Sequence, residues 1–171
     1  MSLSRRAFFK FTGAGAAAAG SASVASGALA AEEEVQATNA VLKYPAENLA
    51  KAGELKVNEP VSFNYPDNRS PCQLIKMGHE VPGGVGPDRD IVAYSTLCPH
   101  MGCPMQYEGD TRRFKCGCHY SVFDAEQAGQ QVIGQATQDV PRIELVYNKD
   151  EGTVHAVGVH GLIFGRQANT L

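Results

Sequence analysis

The sequence predicts an all-β fold, and two observations support this prediction. Candidate strands are short, alternate apolar with polar residues, and are punctuated by glycine and proline, of which the chain has 18 and 9. No segment repeats apolar residues with the period of an amphipathic helix longer than about two or three turns. A composition of 43% hydrophobic and 19% charged residues suits one globular domain. We therefore expect a single domain of antiparallel sheets at residues 32–171.

The elements follow from this alternation in chain order. Residues 32–42 are an acidic start, and 44–49 are predicted as a turn with a short segment. Segments 83–88 and 129–138 are predicted as loops, and 148–152 as the turn between the last two strands. The predicted strands are 59–66, 72–77, 91–94, 122–124, 142–147 and 153–157.

The first residues of the chain are typical of an export signal. Residues 4–10 (SRRAFFK) contain paired arginines, 11–31 are uncharged, and Ala-Leu-Ala at 28–30 is a small-residue cleavage site. Paired arginines indicate the Tat route. We therefore predict a Tat signal peptide at 1–31 and a periplasmic protein. The alternative is a retained membrane anchor, for which the uncharged run is long enough but poor in leucine, isoleucine and phenylalanine.

Charge argues against a nucleic-acid partner. The net charge is −3, and the predicted leader holds three basic residues and no acidic one. Removal of the leader therefore changes the net charge from −3 to −6. A nucleic-acid-binding domain would carry a basic surface instead, so we expect no nucleic acid among the partners.

Two short cysteine- and histidine-containing boxes carry the chemistry. The first box is 98–103 (CPHMGC) and the second box is 116–121 (CGCHYS). Two cysteines and two histidines are the ligand set of a Rieske-type [2Fe–2S] centre, with potentials of roughly −150 to +300 mV. We therefore predict one such cluster per chain. The predicted metal ligands are Cys98, His100, Cys116 and His119.

Three other metal centres share some of these residue types. A structural zinc site places a pair of cysteines before a pair of histidines, whereas the two types alternate here. Covalent haem requires C-x-x-C-H, and the second box is one residue too short for it. A plant-type ferredoxin would need a cysteine where the chain has Gln106. The spacing thus favours the mixed cluster.

Two box cysteines have no ligand role. If both boxes hold one cluster, Cys103 and Cys118 come close together, and an exported protein enters an oxidising compartment. We therefore predict a disulfide between them, with two reduced thiols as the alternative. The bond would close a loop of about 15 residues and contribute roughly 3 kcal/mol. Cys72 is predicted to be a small buried hydrophobe in a strand.

Both boxes closely resemble those of the Rieske protein family, including the two disulfide cysteines. The resemblance implies an antiparallel β base domain with a small inserted cluster-binding subdomain at about 95–136. It also implies that His100 and His119 lie at the exposed tip of that subdomain.

A narrower resemblance covers most of the chain after the leader. Segments 57–66, 83–88, 90–98 and 157–165 resemble the small subunit of arsenite oxidase. This implies an electron-transfer subunit without catalytic residues, whose large molybdopterin partner oxidises arsenite in the periplasm. A cytochrome c or a blue-copper protein would accept the electrons. The base domain would dock on the large subunit, and a histidine edge would face the acceptor.

The chain departs from the respiratory members of the family at one position. These members carry a serine and a tyrosine after the second box, whose hydroxyls bond to sulfur. Here Ser121 is present, but Phe123 replaces the tyrosine. Because a missing donor leaves sulfur more electron-rich, we expect a lower cluster potential. Both residues are thus predicted to tune the cluster.

Three alternative functions are open at this point. The first is a quinol-oxidising Rieske subunit of a cytochrome bc-type complex, which would need a durable membrane anchor. The second is a zinc-binding interaction module without redox chemistry. The third is a Rieske ferredoxin that supplies a dioxygenase, which would act in the cytoplasm and conflicts with a Tat leader.

Overall fold

The computed structural model describes residues 43–170, so the predicted leader and the acidic start lie outside the described residues. The described chain is all-β, with one 3₁₀ turn at Ala52–Glu54. Within it, no helix is long and apolar enough to span a bilayer. The strands are β1 Glu47–Lys51, β2 Val61–Asn64, β3 Pro71–Lys76, β4 Ile91–Ser95, β5 Met105–Glu108, β6 Arg113–Cys116, β7 Val122–Asp124, β8 Gln130–Ile133, β9 Arg142–Asn148 and β10 Thr153–His160.

Two antiparallel sheets make up the fold. The base sheet has six strands in the order β1-β10-β9-β4-β3-β2, and the small sheet has four in the order β5-β6-β7-β8. The small sheet is inserted in the sequence between β4 and β9, which confirms the expected base with an inserted unit. All four strands of the small sheet fall inside the predicted subdomain of about 95–136.

The predicted strands are all present, but four other strands were not predicted. The first of them, β1, overlaps the short segment predicted at 44–49 and extends to Lys51. The predicted loop at 129–138 contains β8, and the hairpin β5–β6 lies between the boxes. β8 is an edge strand whose two glutamines precede two exposed apolar residues, so it lacks alternation. Its pairing with β7, rather than its own pattern, makes it a strand. β5 and β6 have four residues each, too short for a clear pattern.

β4 separates two apolar cores. All five of its residues are buried, and successive side chains of a strand point to opposite faces. Ile91 and Ala93 pack into the core of the base sheet. Val92 and Tyr94 pack into a second core shared with the small sheet. The Tyr94 hydroxyl also donates to the Ala125 carbonyl (2.8 Å), which ties this strand to the inserted unit.

A polar contact fixes the β5–β6 hairpin to the base. The Tyr107 hydroxyl donates to Asn58 Oδ1 (2.6 Å), and Asn58 Nδ2 donates to the Gly109 carbonyl (2.8 Å). Asn58 has a φ of 64°, a left-handed conformation that asparagine tolerates well. Burial raises the pKa of Tyr107 to about 12, so its hydroxyl stays protonated and continues to donate.

The C-terminal segment, residues 161–170, is held by side chains rather than by strand pairing. Asn169 is buried, accepts from the Ile163 N–H (2.9 Å) and donates to the Gly161 carbonyl (2.7 Å). Arg166 donates to Asp67 (2.7 Å) and to the Ser70 hydroxyl. The segment therefore has a defined path without regular structure.

The Asp67–Arg166 pair predicts a pH-dependent stability. The hydrogen bond from Arg166 lowers the pKa of Asp67 well below its usual range. A lowered folded-state pKa gives stability above the unfolded pKa of about 3.9, and this stability is lost as the pH falls below that value. We expect Asp67→Asn to cost about 1 kcal/mol at pH 7, since the pair is partly exposed, and less at about pH 3.

Urea unfolding at the two pH values measures this difference. Asp150→Asn, in the exposed turn between β9 and β10, is the control and should leave stability nearly unchanged. A deficit for Asp67→Asn that is equal at both pH values would contradict the assignment.

Candidate metal centre

The two boxes form loops with the same backbone hydrogen bonds. In the first box the Cys98 N–H donates to the Cys103 carbonyl (2.8 Å), and the Gly102 N–H donates to the Cys98 carbonyl (2.8 Å). In the second box the Cys116 N–H donates to the Ser121 carbonyl (2.9 Å), and the Tyr120 N–H donates back to the Cys116 carbonyl (3.1 Å). Each loop thus starts and ends at a fixed point on the sheet framework.

In both loops, the residue four positions after the first cysteine has a left-handed backbone conformation. Gly102 has a φ of 71° and serves this role in the first loop. Tyr120 has a φ of 59° at the equivalent position of the second loop. A left-handed tyrosine costs about 1 kcal/mol relative to glycine. Sequence reasoning missed this equivalence because only one of the two residues is a glycine.

A disulfide joins the two loops. Cys103 and Cys118 are bonded, with Cα atoms 6.5 Å apart, so the predicted pairing is confirmed. The Cys116 sulfur lies within 4.8 Å of both bonded sulfurs. Because Cys103 and Cys118 are bonded to each other, neither is available as a thiolate ligand. Cys98 and Cys116 remain as free, buried thiols in this region.

The structure brings all four predicted ligands to the joined loops. Cys98 and Cys116 are buried, and the rings of His100 and His119 lie 4.7 Å apart between centroids, nearly perpendicular. His119 is exposed and His100 is half-buried. The sulfurs therefore lie on the inner side of the site and the imidazoles on its outer side.

The environment of Cys98 fits a metal-bound thiolate. Burial raises the pKa of its thiol, and the adjacent Cys116 raises it further. Backbone hydrogen bonds from His100 and Met101 act in the opposite direction and favour the thiolate. A metal ion would deprotonate such a thiol, and the backbone donors would stabilise the resulting charge on sulfur.

An unpaired imidazole nitrogen supports the same assignment. The Nδ1 atom of His100 is buried and, among residues 43–170, has no hydrogen-bond partner. A buried polar atom without a partner costs free energy, and a bond to a metal would satisfy it. Two buried thiols, two adjacent imidazoles and this free nitrogen fit a [2Fe–2S] cluster with mixed ligands.

Ser121 and Phe123 both lie beside the ligands. Ser121 is buried, and its hydroxyl oxygen accepts from the Ala136 N–H (2.9 Å). Its own proton is thus free to bond to sulfur. Phe123 is fully buried in the apolar core that also contains Cys98 and Cys116. Their predicted effect on the cluster potential stays a prediction.

Cys72 lies apart from the boxes. Its thiol donates weakly to the carbonyls of Tyr65 (3.5 Å) and Ser70 (3.4 Å). Burial raises its pKa to about 12, which keeps the thiol protonated and unreactive. The residue is therefore a small buried hydrophobe, in agreement with the sequence prediction.

Two supporting contacts could not be seen in the sequence. Gly134 has a φ of 106° and packs so closely on the Ser121 backbone that a Cβ atom would overlap it. The Phe164 ring packs on Gly102 in the same way. Each contact joins one box to a segment that lies outside that box in the sequence. The only sequence feature that hints at these contacts is the presence of the glycines.

The Gly134 contact predicts a large effect of a single methyl group. We expect Gly134→Ala to cost more than about 2 kcal/mol, because alanine would be strained at this φ and would displace Ser121. Gly152→Ala is the matched control, since Gly152 also has a positive φ (69°), but a methyl group added there would meet no atom within 4 Å. Thermal unfolding of both variants measures the difference, and equal losses would contradict the close contact.

Comparison with known proteins identifies the family. A model of the Rieske [2Fe-2S] domain matches residues 48–144. Iodate reductase subunit IdrB of Denitromonas iodatirespirans is 38% identical over 98% of this chain and 86% of its own length. Iodate reductase subunit IdrB of Pseudomonas sp. (strain SCT) is 34% identical over 95% of this chain and 82% of its own length.

A solved structure shows the same fold. The soluble domain of Rieske protein II (soxF) from Sulfolobus acidocaldarius superposes with a TM-score of 0.64 at 22% identity, covering 73% of this chain and 83% of that domain. The ligand geometry and the matched family model agree on the cofactor. The chain belongs to the Rieske [2Fe–2S] protein family.

Proposed function

We propose that the protein is the small electron-transfer subunit of an oxidoreductase of the iodate reductase kind. The observation that carries the proposal is a complete Rieske ligand site in a chain that matches two iodate reductase subunits over nearly its whole length. A large molybdopterin subunit would carry the substrate site. This chain would exchange electrons with it and with a periplasmic cytochrome c or blue-copper protein.

The residues of this chain supply a rigid and partly shielded redox site. When bound, a Rieske cluster supplies reversible one-electron chemistry at moderate to high potential. Cys98 and Cys116 would hold it from the buried side, where water is excluded. His100 and His119 would hold it from the outer side, where a partner can approach. The disulfide and the shared loop pattern keep these four groups in place.

Arsenite oxidation is the second candidate, and it requires the opposite direction of electron flow. It is supported by the resemblance of segments 57–66, 83–88, 90–98 and 157–165 to the small subunit of arsenite oxidase. The full-length similarity to iodate reductase subunits supports iodate reduction more directly. Quinol oxidation by a cytochrome bc-type complex has less support, because it would need a retained membrane anchor.

Export through the Tat pathway remains part of the proposal. It is supported by the paired arginines and the Ala-Leu-Ala site in residues 1–31. The Cys103–Cys118 disulfide suits the same oxidising compartment. Tat export of an already folded protein would allow the cluster to be inserted before transport.

The direction of electron flow can be measured on the purified two-subunit complex by EPR of the reduced cluster. For an iodate reductase, iodate should rapidly abolish the signal of the dithionite-reduced complex, and arsenite should not generate a signal in the oxidised complex. The reverse pattern would identify an arsenite oxidase. The isolated small subunit is the control and should respond slowly to both. A complex that responds to neither would contradict the proposal.

The phenylalanine at position 123 allows a prediction of how a substitution there would change the reduction potential of the cluster. We expect Phe123→Tyr to raise the potential of the cluster, because a hydroxyl added near sulfur stabilises the more negative reduced state. Ser121→Ala should lower the potential for the converse reason. Redox titration of both variants measures these shifts. An unchanged or lowered potential in Phe123→Tyr would count against a tuning role at this position.

A further inference from the structure

A third sulfur lies beside the disulfide that joins the two boxes. The sulfurs of Cys103, Cys116 and Cys118 all lie within 4.8 Å of one another. Cys103 and Cys118 are bonded, whereas Cys116 is a free thiol. A free thiol this close to a disulfide is the starting arrangement for thiol–disulfide exchange, in which a thiolate attacks one of the two bonded sulfurs.

The fold favours exchange within one chain over exchange between chains. Reacting groups that are held close together behave as if they were present at a high effective concentration. Cys116 is the last residue of β6, and a methyl group added at the next residue, Gly117, would meet no atom within 4 Å. Packing at Gly117 therefore does not oppose a local movement that brings the Cys116 sulfur up to the disulfide.

Attack at the Cys103 sulfur gives a favourable product. Cys116 is buried in the apolar core shared by the two sheets, and Cys103 packs against that core. Cys118, by contrast, is exposed. A bond between Cys103 and Cys116 would thus place the disulfide in apolar surroundings and release the remaining thiol into water. A buried polar group without a strong partner costs free energy, whereas an exposed one is hydrated.

Attack at the Cys118 sulfur is the less favourable direction. It would release Cys103, which is only partly exposed, instead of an exposed thiol. It would also close a ring between two cysteines that are separated by the single residue Gly117. Such a short and stiff loop departs strongly from the small closure cost of a flexible one. We therefore expect Cys118 to be the thiol that leaves.

We propose that Cys116 has a second role besides ligation, as the thiol that exchanges into the disulfide when the chain holds no cluster. The Cys116 thiolate forms a bond to the Cys103 sulfur while the Cys103–Cys118 bond breaks. Cys118 leaves with the electron pair of that bond and takes up the proton that Cys116 lost. The number of disulfides is unchanged, so the step needs neither an oxidant nor a reductant.

The bound cluster and the exchange exclude each other. In the loaded protein the Cys116 sulfur is a metal ligand and is not free to attack. In the exchanged chain Cys116 is bonded to Cys103, so the site lacks one of its two thiolates and cannot take up a Rieske cluster. A chain that loses its cluster would therefore block its own reloading. The step depends on the cluster site alone, and not on the substrate of the complex.

The test follows disulfide pairing in the purified small subunit. One sample keeps its cluster, and the other is freed of it anaerobically with an iron chelator and then incubated. Both are alkylated with N-ethylmaleimide without denaturant, digested and mapped by mass spectrometry. In the cluster-free sample, alkylation of Cys118 should rise with time as a Cys103–Cys116 pair replaces the native pair. The loaded sample should keep the native pair.

Reconstitution gives an independent readout of the same step. Incubated cluster-free protein should fail to regain the visible absorption of the cluster when iron and sulfide are added. Prior treatment with dithiothreitol, which reduces the exchanged disulfide, should restore it. Reconstitution that is equally efficient with and without dithiothreitol would contradict the block.

Two variants that each lack one thiolate ligand separate ligation from exchange. Cys98→Ser and Cys116→Ser both remove a predicted ligand, but only Cys116→Ser removes the exchanging thiol. The exchanged pair should form in Cys98→Ser. In Cys116→Ser the native pair should persist, with Cys118 not alkylated. Equal alkylation of Cys118 in the two variants would overturn the proposal.

The wild-type comparison decides if either variant fails to fold. A cluster-free wild type that keeps the native pair would overturn the proposal, and so would a loaded wild type that exchanges equally fast. The exchange rate should not depend on protein concentration, and a rate that rises with concentration would instead show exchange between chains. Cys72 is buried away from the boxes, so its alkylation reports unfolding. Exchange that occurs only together with alkylation of Cys72 would overturn a role for the folded geometry.

Discussion

The disulfide between Cys103 and Cys118 is the constraint on which the site depends. It joins two loops of the same hydrogen-bond pattern, each anchored at a strand end. With the loops joined, two thiols face inward and two imidazoles lie outward within one small volume. The protein framework therefore positions the four ligand side chains, and a cluster held by them would need little rearrangement to gain or lose an electron.

The base sheet supports these loops through one shared strand. β4 is buried on both faces and contributes alternate side chains to two cores, so the inserted unit packs against the same strand that leads into the first box. Tyr94 and Tyr107 add hydrogen bonds from one part to the other. Residues distant from the boxes therefore help to determine where the ligands lie. A substitution in the base sheet should thus alter the positions of the cluster ligands.

Ion-paired residues are unevenly distributed over the described part of the molecule. Ion pairs lie mainly on the base and on the outer part of the small sheet, where they are partly exposed and contribute little each. The two boxes contain none of these ion-paired residues, and Met101 and Tyr120 within them are exposed.

The sequence by itself determined the chemistry: the ligand types and spacing indicated the cofactor, alternation indicated most strands, and two spare box cysteines indicated the disulfide. These signals are local, since each depends on residues close together in the chain. Only the tertiary structure decided that Gln130–Ile133 is a strand, that Gly134 packs on Ser121, and that the C-terminal segment reaches the first box. These features depend on pairing and packing between segments that are distant in the chain. Such contacts do not produce a periodic pattern of apolar residues in either segment, so neither sequence predicts them.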